Sequence, residues 1–335
     1  MTRFLAGLAL TASCVISSAP AQAVQPVSPG GSNYAWYDLT ASTQPAPPGP
    51  NCREPFGVLK NYQNPGVRAI VQGQLAQMRA NGQHRLRIPI FHRNNAQGGT
   101  LLRSNGGNLS SHDRTSLALF LSDVNVAGFS EILVGFFPIG PNSPLGWTSW
   151  NEPMFQENWN LIYNLRPLIA GAGIQYRIDL MNEGAPASHQ TQLRQYVWKL
   201  WINYNLRFGK ADTVGFSVAA GTSNPLDTAT VVNRYNTTRD IYDSTSYGPP
   251  YLWDVHLYDS PGLKLQALDQ AMNARGDSSS LIIGETFYDD AATWSAIQST
   301  YVSRTVWHIY QWPLTPNRGC DGHVDITPPT QYRYW

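Results

Sequence analysis

Two glutamates close two apolar runs. Gln175 to Met181 mixes β-branched, aromatic and large apolar residues and leads into Asn182-Glu183-Gly184. About a hundred residues on, Ser280-Leu281-Ile282-Ile283-Gly284 ends at Glu285. Runs of this kind read as buried strands. An acid at the end of such a strand sits at the mouth of a sheet or barrel, where its carboxyl can face a ligand. Two such carboxyls suit glycosidic bond chemistry. Cleavage with retention needs one as proton donor and the other as nucleophile, about 5 Å apart across the sugar. Other polar and aromatic residues fall near strand ends as well: Arg87, His256, Tyr258, Trp307, Gln311 and Trp312.

The elements that must position these residues alternate regularly. Expected strands are Asn33 to Leu39, His84 to Phe91, Glu131 to Phe137, Gln175 to Met181, Thr213 to Ala220, Leu252 to Tyr258, Leu281 to Phe287 and Val306 to Trp312. Between them, apolar residues recur at helical spacing over Val67 to Ala80, His112 to Ala127, Asn158 to Ala170, Thr191 to Phe208, Asp227 to Tyr242, Leu263 to Ala274 and Ala291 to Tyr301. Eight strands alternating with seven helices predict an α/β fold, a (β/α)8 TIM barrel. The whole mature chain reads as one domain, residues 24–335, with an irregular tail from Pro313 to Trp335. A doubly wound open sheet is the alternative, but its Gly-rich phosphate loop after strand one is absent. Barrel enzymes carry their chemistry at the carboxyl ends of the strands, which is where both glutamates fall.

With those residues in place, the sequence resembles the clan of retaining glycoside hydrolases that contains cellulases and β-xylosidases. The resemblance rests on Asn182-Glu183 after strand four, His256-Leu257-Tyr258 on strand six, Glu285 at the end of strand seven and tryptophan on strand eight. It implies that Glu183 is the acid/base and Glu285 the nucleophile. It further implies that Asn182 bonds the sugar 2-hydroxyl, that Tyr258 bonds the nucleophile and that His256 lines the site. Arg87, in Arg-Ile-Pro, would support the nucleophile's charge, and either Trp307 or Trp312 would form the floor beneath the sugar. The chain departs from the clan's Asn-Glu-Pro, since Gly184 replaces proline, and Phe136-Phe137-Pro138 stands where a histidine pattern is usual near strand three. Asn151-Glu152-Pro153 matches the tripeptide, but it follows a loop rich in Gly, Pro and Ser rather than a strand, so Glu183 is preferred.

The rest of the chain bounds this reading. In 335 residues with a net charge of +1 there is no basic face to call for a nucleic-acid partner. Its 11 Trp and 17 Tyr suit a rich core and also sugar faces, and Trp147, Trp150 and Trp159 are candidates for either role. Met1-Thr2-Arg3, the apolar stretch Phe4 to Ile16 and Ala21-Gln22-Ala23 read as a cleavable signal peptide, residues 1–23, giving a secreted or periplasmic protein. A lipoprotein reading centred on Cys14 is the alternative. No later segment is apolar enough to span a bilayer. In an oxidising compartment the two remaining cysteines, Cys52 and Cys320, read as one disulfide, which in a barrel would clip the tail across the seam. His84, His92, His112, His189 and His323 show no metal spacing, and no cofactor motif occurs. The expected partner is a carbohydrate substrate, and the long loops after strands one to three favour an endo mode. A non-catalytic carbohydrate-binding barrel is the competing reading.

Overall fold

Among the described residues, eight parallel strands form the barrel: Gly31–Asn33, Arg85–Arg93, Glu131–Pro138, Gln175–Asp179, strand five in two pieces (Thr213–Gly215 and Val218–Ala219), Leu252–His256, Ser280–Glu285 and Val306–Gln311, with Leu102–Arg103 added beside the end of the second. They are numbered one to eight below. The computed structural model describes residues 21–36, 52–53, 57–96, 100–221, 226–313, 324–325 and 329–334. Each strand pairs with its successor in the chain, and strand eight pairs with strand one. The ring closes through the split strand, whose first piece bonds strand four and whose second bonds strand six. The (β/α)8 barrel expected from the alternation is the observed fold.

Among the described residues, seven long helices cover the outside, Pro65–Ala80, Ser111–Val126, Glu152–Ala170, Thr191–Phe208, Ala229–Asp243, Pro261–Ala274 and Ala291–Gln298, with a single turn at Val58–Asn61 before the first. Several start on a side-chain cap that satisfies amides the helix leaves free. Asn64 accepts from the Gly66 amide, Ser110 from Asp113, and Asp290 from Thr293. Alternation along each strand divides the side chains between two cores. One face packs against the helices, as Leu86, Ile88, Ile132 and Ile178 do. The other fills the barrel, where Leu133, Val214, Leu252, Ile282 and Tyr310 form an apolar plug. On the inward face, Arg85 and Arg177, at the starts of strands two and four, share Glu131. Toward the other end the same inward face turns polar again, and that polar layer supports the site.

Most expected boundaries move by one to three residues, and the changes that matter most are these. Strand one is Gly31–Asn33, not Asn33 to Leu39; beyond it Trp36 makes only an isolated bridge to Gly57. Strand five is interrupted at Phe216-Ser217, because Ser217 turns its hydroxyl and amide to Asp179. The third helix begins at Glu152 instead of Asn158.

Residues 329–334 lie against strands one and eight. Ser32 donates to the Pro329 carbonyl, Tyr332 to the Ile309 carbonyl, and Tyr334 packs edge-on against Trp294 of the last helix. Cys320 and the Cys52 side chain lie outside the described residues, as does the expected leader up to residue 20. Cys52–Arg53 does pair antiparallel with Val324–Asp325, so the loop after strand one meets the tail after strand eight. Gln22–Ala23, at the expected cleavage point, pairs with Tyr301–Val302. No helix among the described residues is long and apolar enough to cross a membrane.

Candidate active site

Arg87 is the hub on which the site is built. Strand two turns it into the barrel, where it is fully buried. Its Nη1 donates to Asn33 Oδ1 at 2.8 Å and to Glu285 Oε1 at 2.6 Å. Its Nη2 donates to Asp179 Oδ2 and Asn182 Oδ1, each at 2.8 Å. The Phe137 ring lies beside the guanidinium, 5.3 Å from Cζ to centroid. Five elements, strands one, two, three, four and seven, therefore converge on one cation. A planar guanidinium with a fixed fork of donors suits this task in a way a lysine would not.

Glu285 takes a second donor on its other oxygen, the Tyr258 hydroxyl at 2.6 Å. Burial, and after it the charge of Glu285, hold that phenol well above its usual range, so it stays a donor at any ordinary pH. Beneath Glu285, Gly284 is required by contact: a Cβ there would stand 2.1 Å from Asp254 Oδ1. Asn33 donates to the Gly284 carbonyl at 2.9 Å and ties strand one to the end of strand seven.

Glu183 sits across from Glu285, just beyond strand four, in the left-handed backbone region at φ 50°. Its amide donates to Ser217 Oγ at 2.7 Å, and Ser217 in turn donates to Asp179. The Gly184 amide donates to the Met181 carbonyl at 3.0 Å, closing the turn. Proline at 184 would lose that bond, and it would push residue 183 toward extended backbone. The glycine in place of the clan's proline thus follows from this turn.

His256 lies between the two glutamates. Its Nδ1 is 3.4 Å from Glu183 Oε1 and 3.5 Å from Glu285 Oε2, and its Nε2 is 3.6 Å from Asp254 Oδ2. One oxygen of each glutamate and the histidine nitrogen all lie within 4.8 Å of one another. Burial opposes charge on the imidazole, but Glu285, Asp254 and Glu183 outweigh it and push its pKa up to about 10. The imidazolium acts back on Glu183. Burial alone would raise that carboxyl, yet the hydrogen bond and charge of His256, followed by Arg234 and Arg87, hold it below the ordinary glutamate range. A proton donor working near neutral pH calls for a raised value, from burial or nearby negative charge; here the histidine cation reverses the sign. Asp179, buried beside a second buried acid, is pushed up to about 6 despite Arg87.

Several expectations resolve here. Arg87, Asn182, Glu183, His256, Tyr258 and Glu285 converge on one mouth of the barrel. Trp312 joins them at the same end, 6% exposed, in a cradle with Trp36 (5.4 Å, edge-on), Phe91 and Phe137. Trp307 does not join. It is the second residue of strand eight, at the opposite end, 43% exposed, with its carbonyl bound by Ser28. Glu152 is a helix residue: Asn151 caps the helix start by accepting from Met154, and Glu152 pairs with Lys199 at 2.7 Å. Trp147 and Trp150 stack edge-on and pack against Tyr196 and Phe155, and Trp159 packs against Tyr163 and Phe208, so all three are packing residues. Sequence reasoning missed Asn33, Trp36, Asp179, Ser217 and Asp254. Asp254 had a signal, since Asp254, His256 and Tyr258 alternate along one strand and so share a face.

The arrangement can bring one carboxylate backed by an arginine and a phenol, and a second carboxyl beside a proton-bearing imidazole, to the two sides of one bond. No protein-family model and no curated protein matches the chain. Among solved structures it is similar to an endo-β-1,6-glucanase, at 12% identity and a TM-score of 0.52, over 90% of this chain and 70% of that one. It is also similar to an endo-1,4-β-mannanase from Eisenia fetida, at 13% identity and a TM-score of 0.50, over 91% and 89%. At these identities the likeness bears on the fold alone, and the fold they share with this chain is the (β/α)8 barrel.

Proposed function

We propose that the protein is an exported, retaining, endo-acting glycoside hydrolase that cleaves β-glycosidic bonds of a polysaccharide or oligosaccharide by double displacement. The observation that carries the reading is the close approach of the Glu183 and Glu285 carboxyls, with oxygens within 4.8 Å. That spacing favours direct attack on the sugar over activation of an intervening water, which calls for roughly 6.5 Å or more. The barrel it shares with an endo-β-1,6-glucanase and an endo-1,4-β-mannanase is compatible with this chemistry, and the substrate class and endo mode are part of the proposal.

In this reading Glu285 is the nucleophile. Arg87 and Tyr258 donate to its two oxygens and hold it aimed at the anomeric carbon. Glu183 protonates the departing oxygen. Once Glu285 is esterified its negative charge is gone, and Glu183 takes a proton from the incoming water. Asn182, its carbonyl held by Arg87, has its amide group for the 2-hydroxyl. Trp312 walls the sugar-binding side of the cleft. The test is a screen of the purified protein against diverse β-glycans, with product anomers followed by NMR, alongside Glu183→Gln and Glu285→Gln. Release of the β-anomer first, and near-complete loss of turnover in both variants with unchanged melting, is the expected result. An α-anomer, or full activity in Glu183→Gln, overturns it.

A further inference from the structure

A cleft of about 670 Å³, a size suited to small ligands, opens on the Glu183 side of the site. Its walls come from the loop after strand four, the end of strand five, strand six and the helix Ala229–Asp243. Glu183, His256 and Tyr258 form its inner end and Arg234 and Asn233 its outer one. Since Glu183 is read as the proton donor, this is where the departing part of the glycan would lie.

Arg234 stands out in this cleft. Its Nε is buried without a hydrogen-bond partner, and no carboxylate among the described residues lies within ion-pair distance of it. Its neighbour on the same helix, Arg239, holds Asp243, and Arg275 holds Asp240. The side chain is half-buried rather than free in water. Desolvating a guanidinium edge without a partner costs free energy that an incoming acceptor would recover. The surroundings keep it available and fixed. Asn233 and Ser188 exchange hydrogen bonds (3.0 and 3.1 Å) that clamp the strand-four loop to the helix. A second cation, the fully buried Lys264, donates to the Gly221 carbonyl at the rim, with Asp227 and Asp259 as its more distant counter-charges. Among the described residues, Glu183 is the one carboxylate that lines the cleft.

We infer that this cleft binds an anionic sugar on the leaving-group side of the scissile bond, with Arg234 pairing a uronate carboxylate or a sulfate half-ester of the glycan. This rests on the reading of Glu183 as the proton donor. Arg234 is one of the cations that hold Glu183 down. An anion bound to Arg234 offsets that influence, so an acidic substrate also helps Glu183 carry the proton it must deliver.

The experiment compares matched substrates: glucuronoxylan with its carboxyl-reduced form, and a sulfated galactan with its desulfated form, using wild type, Arg234→Gln and Arg234→Lys. Hydrogen bonds to charged groups of this kind correspond to about a tenfold to hundredfold preference. The expected result is that kcat/KM favours one acidic chain over its neutral counterpart by about that factor, that Arg234→Gln brings the ratio near one, and that Arg234→Lys keeps part of it. Whichever pair shows the preference identifies the anion. A wild-type ratio near one for both pairs, or a ratio unchanged in Arg234→Gln, overturns the inference. A binding arm separates this from the catalytic reading. Methyl β-glucuronide and methyl β-glucoside are titrated into Glu285→Gln, with and without Arg234→Gln, and followed by NMR. Arg234-dependent glucuronide binding in a protein that hydrolyses nothing removes the hydrolase and keeps the anion site. Hydrolysis of neutral glycans that needs both glutamates, with no acidic preference, does the reverse.

Discussion

Arg87 and Glu285 meet at 2.6 Å inside the barrel, and the same guanidinium grips Asp179 at 2.8 Å from its other terminal nitrogen. One cation therefore neutralises two buried carboxylates and feels the charge of a third, Asp254. Removing it leaves charge uncompensated in a buried layer, and breaking a buried pair in this way costs about 3–5 kcal/mol. Arg87→Met is therefore expected to lower the urea midpoint substantially and to abolish turnover. Arg87→Lys should recover part of the stability but little activity, because a single ammonium cannot span four acceptors. A wild-type midpoint in Arg87→Met would remove the hub role.

Tyr258 bonds Glu285 from the other side at 2.6 Å. Tyr258→Phe deletes one oxygen and leaves the ring packed edge-on against Phe287. A charge-assisted bond of this kind is worth about 1.5–3 kcal/mol, so kcat should fall about tenfold to hundredfold while melting barely moves. Steady-state kinetics on the substrate found in the glycan screen measures it. An unchanged kcat would mean that Glu285 does not depend on the phenol.

How much of this was legible beforehand follows from what each residue does to a pattern. The barrel was readable because eight apolar runs alternate with helical periodicity, a signal summed over many residues. Glu183 and Glu285 were readable because they end such runs. Asp179 was not: it lies inside a run that reads as apolar, and its burial depends on Arg87 and His256 arriving from other strands. Trp36 and Phe137 are aromatic in a chain full of aromatics, so only the fold reveals that they pack with Trp312 at this mouth of the barrel. The error over Trp307 was one of position. It enters strand eight at the start, five residues before the end where chemistry collects. The split of strand five was hidden because it depends on one hydroxyl, that of Ser217, meeting one distant carboxylate.

The His256 cation fixes a pH signature. Its pKa rises from about 6.5 in an unfolded chain to about 10 in the fold. A cation favoured by folding stabilises fully below the unfolded value, and that contribution fades as pH climbs from about 6.5 toward 10. Wild-type melting temperature should therefore fall across this window, and His256→Gln should lack most of that slope. The same substitution removes the largest influence lowering Glu183, whose neighbours are His256, Arg234, Arg87 and, across the cleft, Glu285 and Tyr258. Glu183 then holds its proton to higher pH, so the alkaline limb of kcat/KM should move upward. A limb that moves down, or stays fixed, contradicts the assigned role of the imidazole.

The two Asn-Glu sequences supply a final contrast. Glu152 belongs to a helix start, paired with Lys199 on the surface, and such exposed pairs are worth about 0–1 kcal/mol. Glu152→Gln should leave hydrolysis intact and shift melting little. Gly184→Pro, which would restore the clan's tripeptide at the working position, is expected to do harm. It removes the amide that donates to Met181, and it opposes the left-handed backbone of Glu183 at φ 50°. A strained residue of this kind costs about 1–3 kcal/mol, and here the strain acts directly on the position of a reacting carboxyl. Activity should fall far more than stability, as read by kcat beside a denaturation curve. Retained activity in Gly184→Pro together with loss in Glu152→Gln would reverse the assignment and make the surface tripeptide the working one.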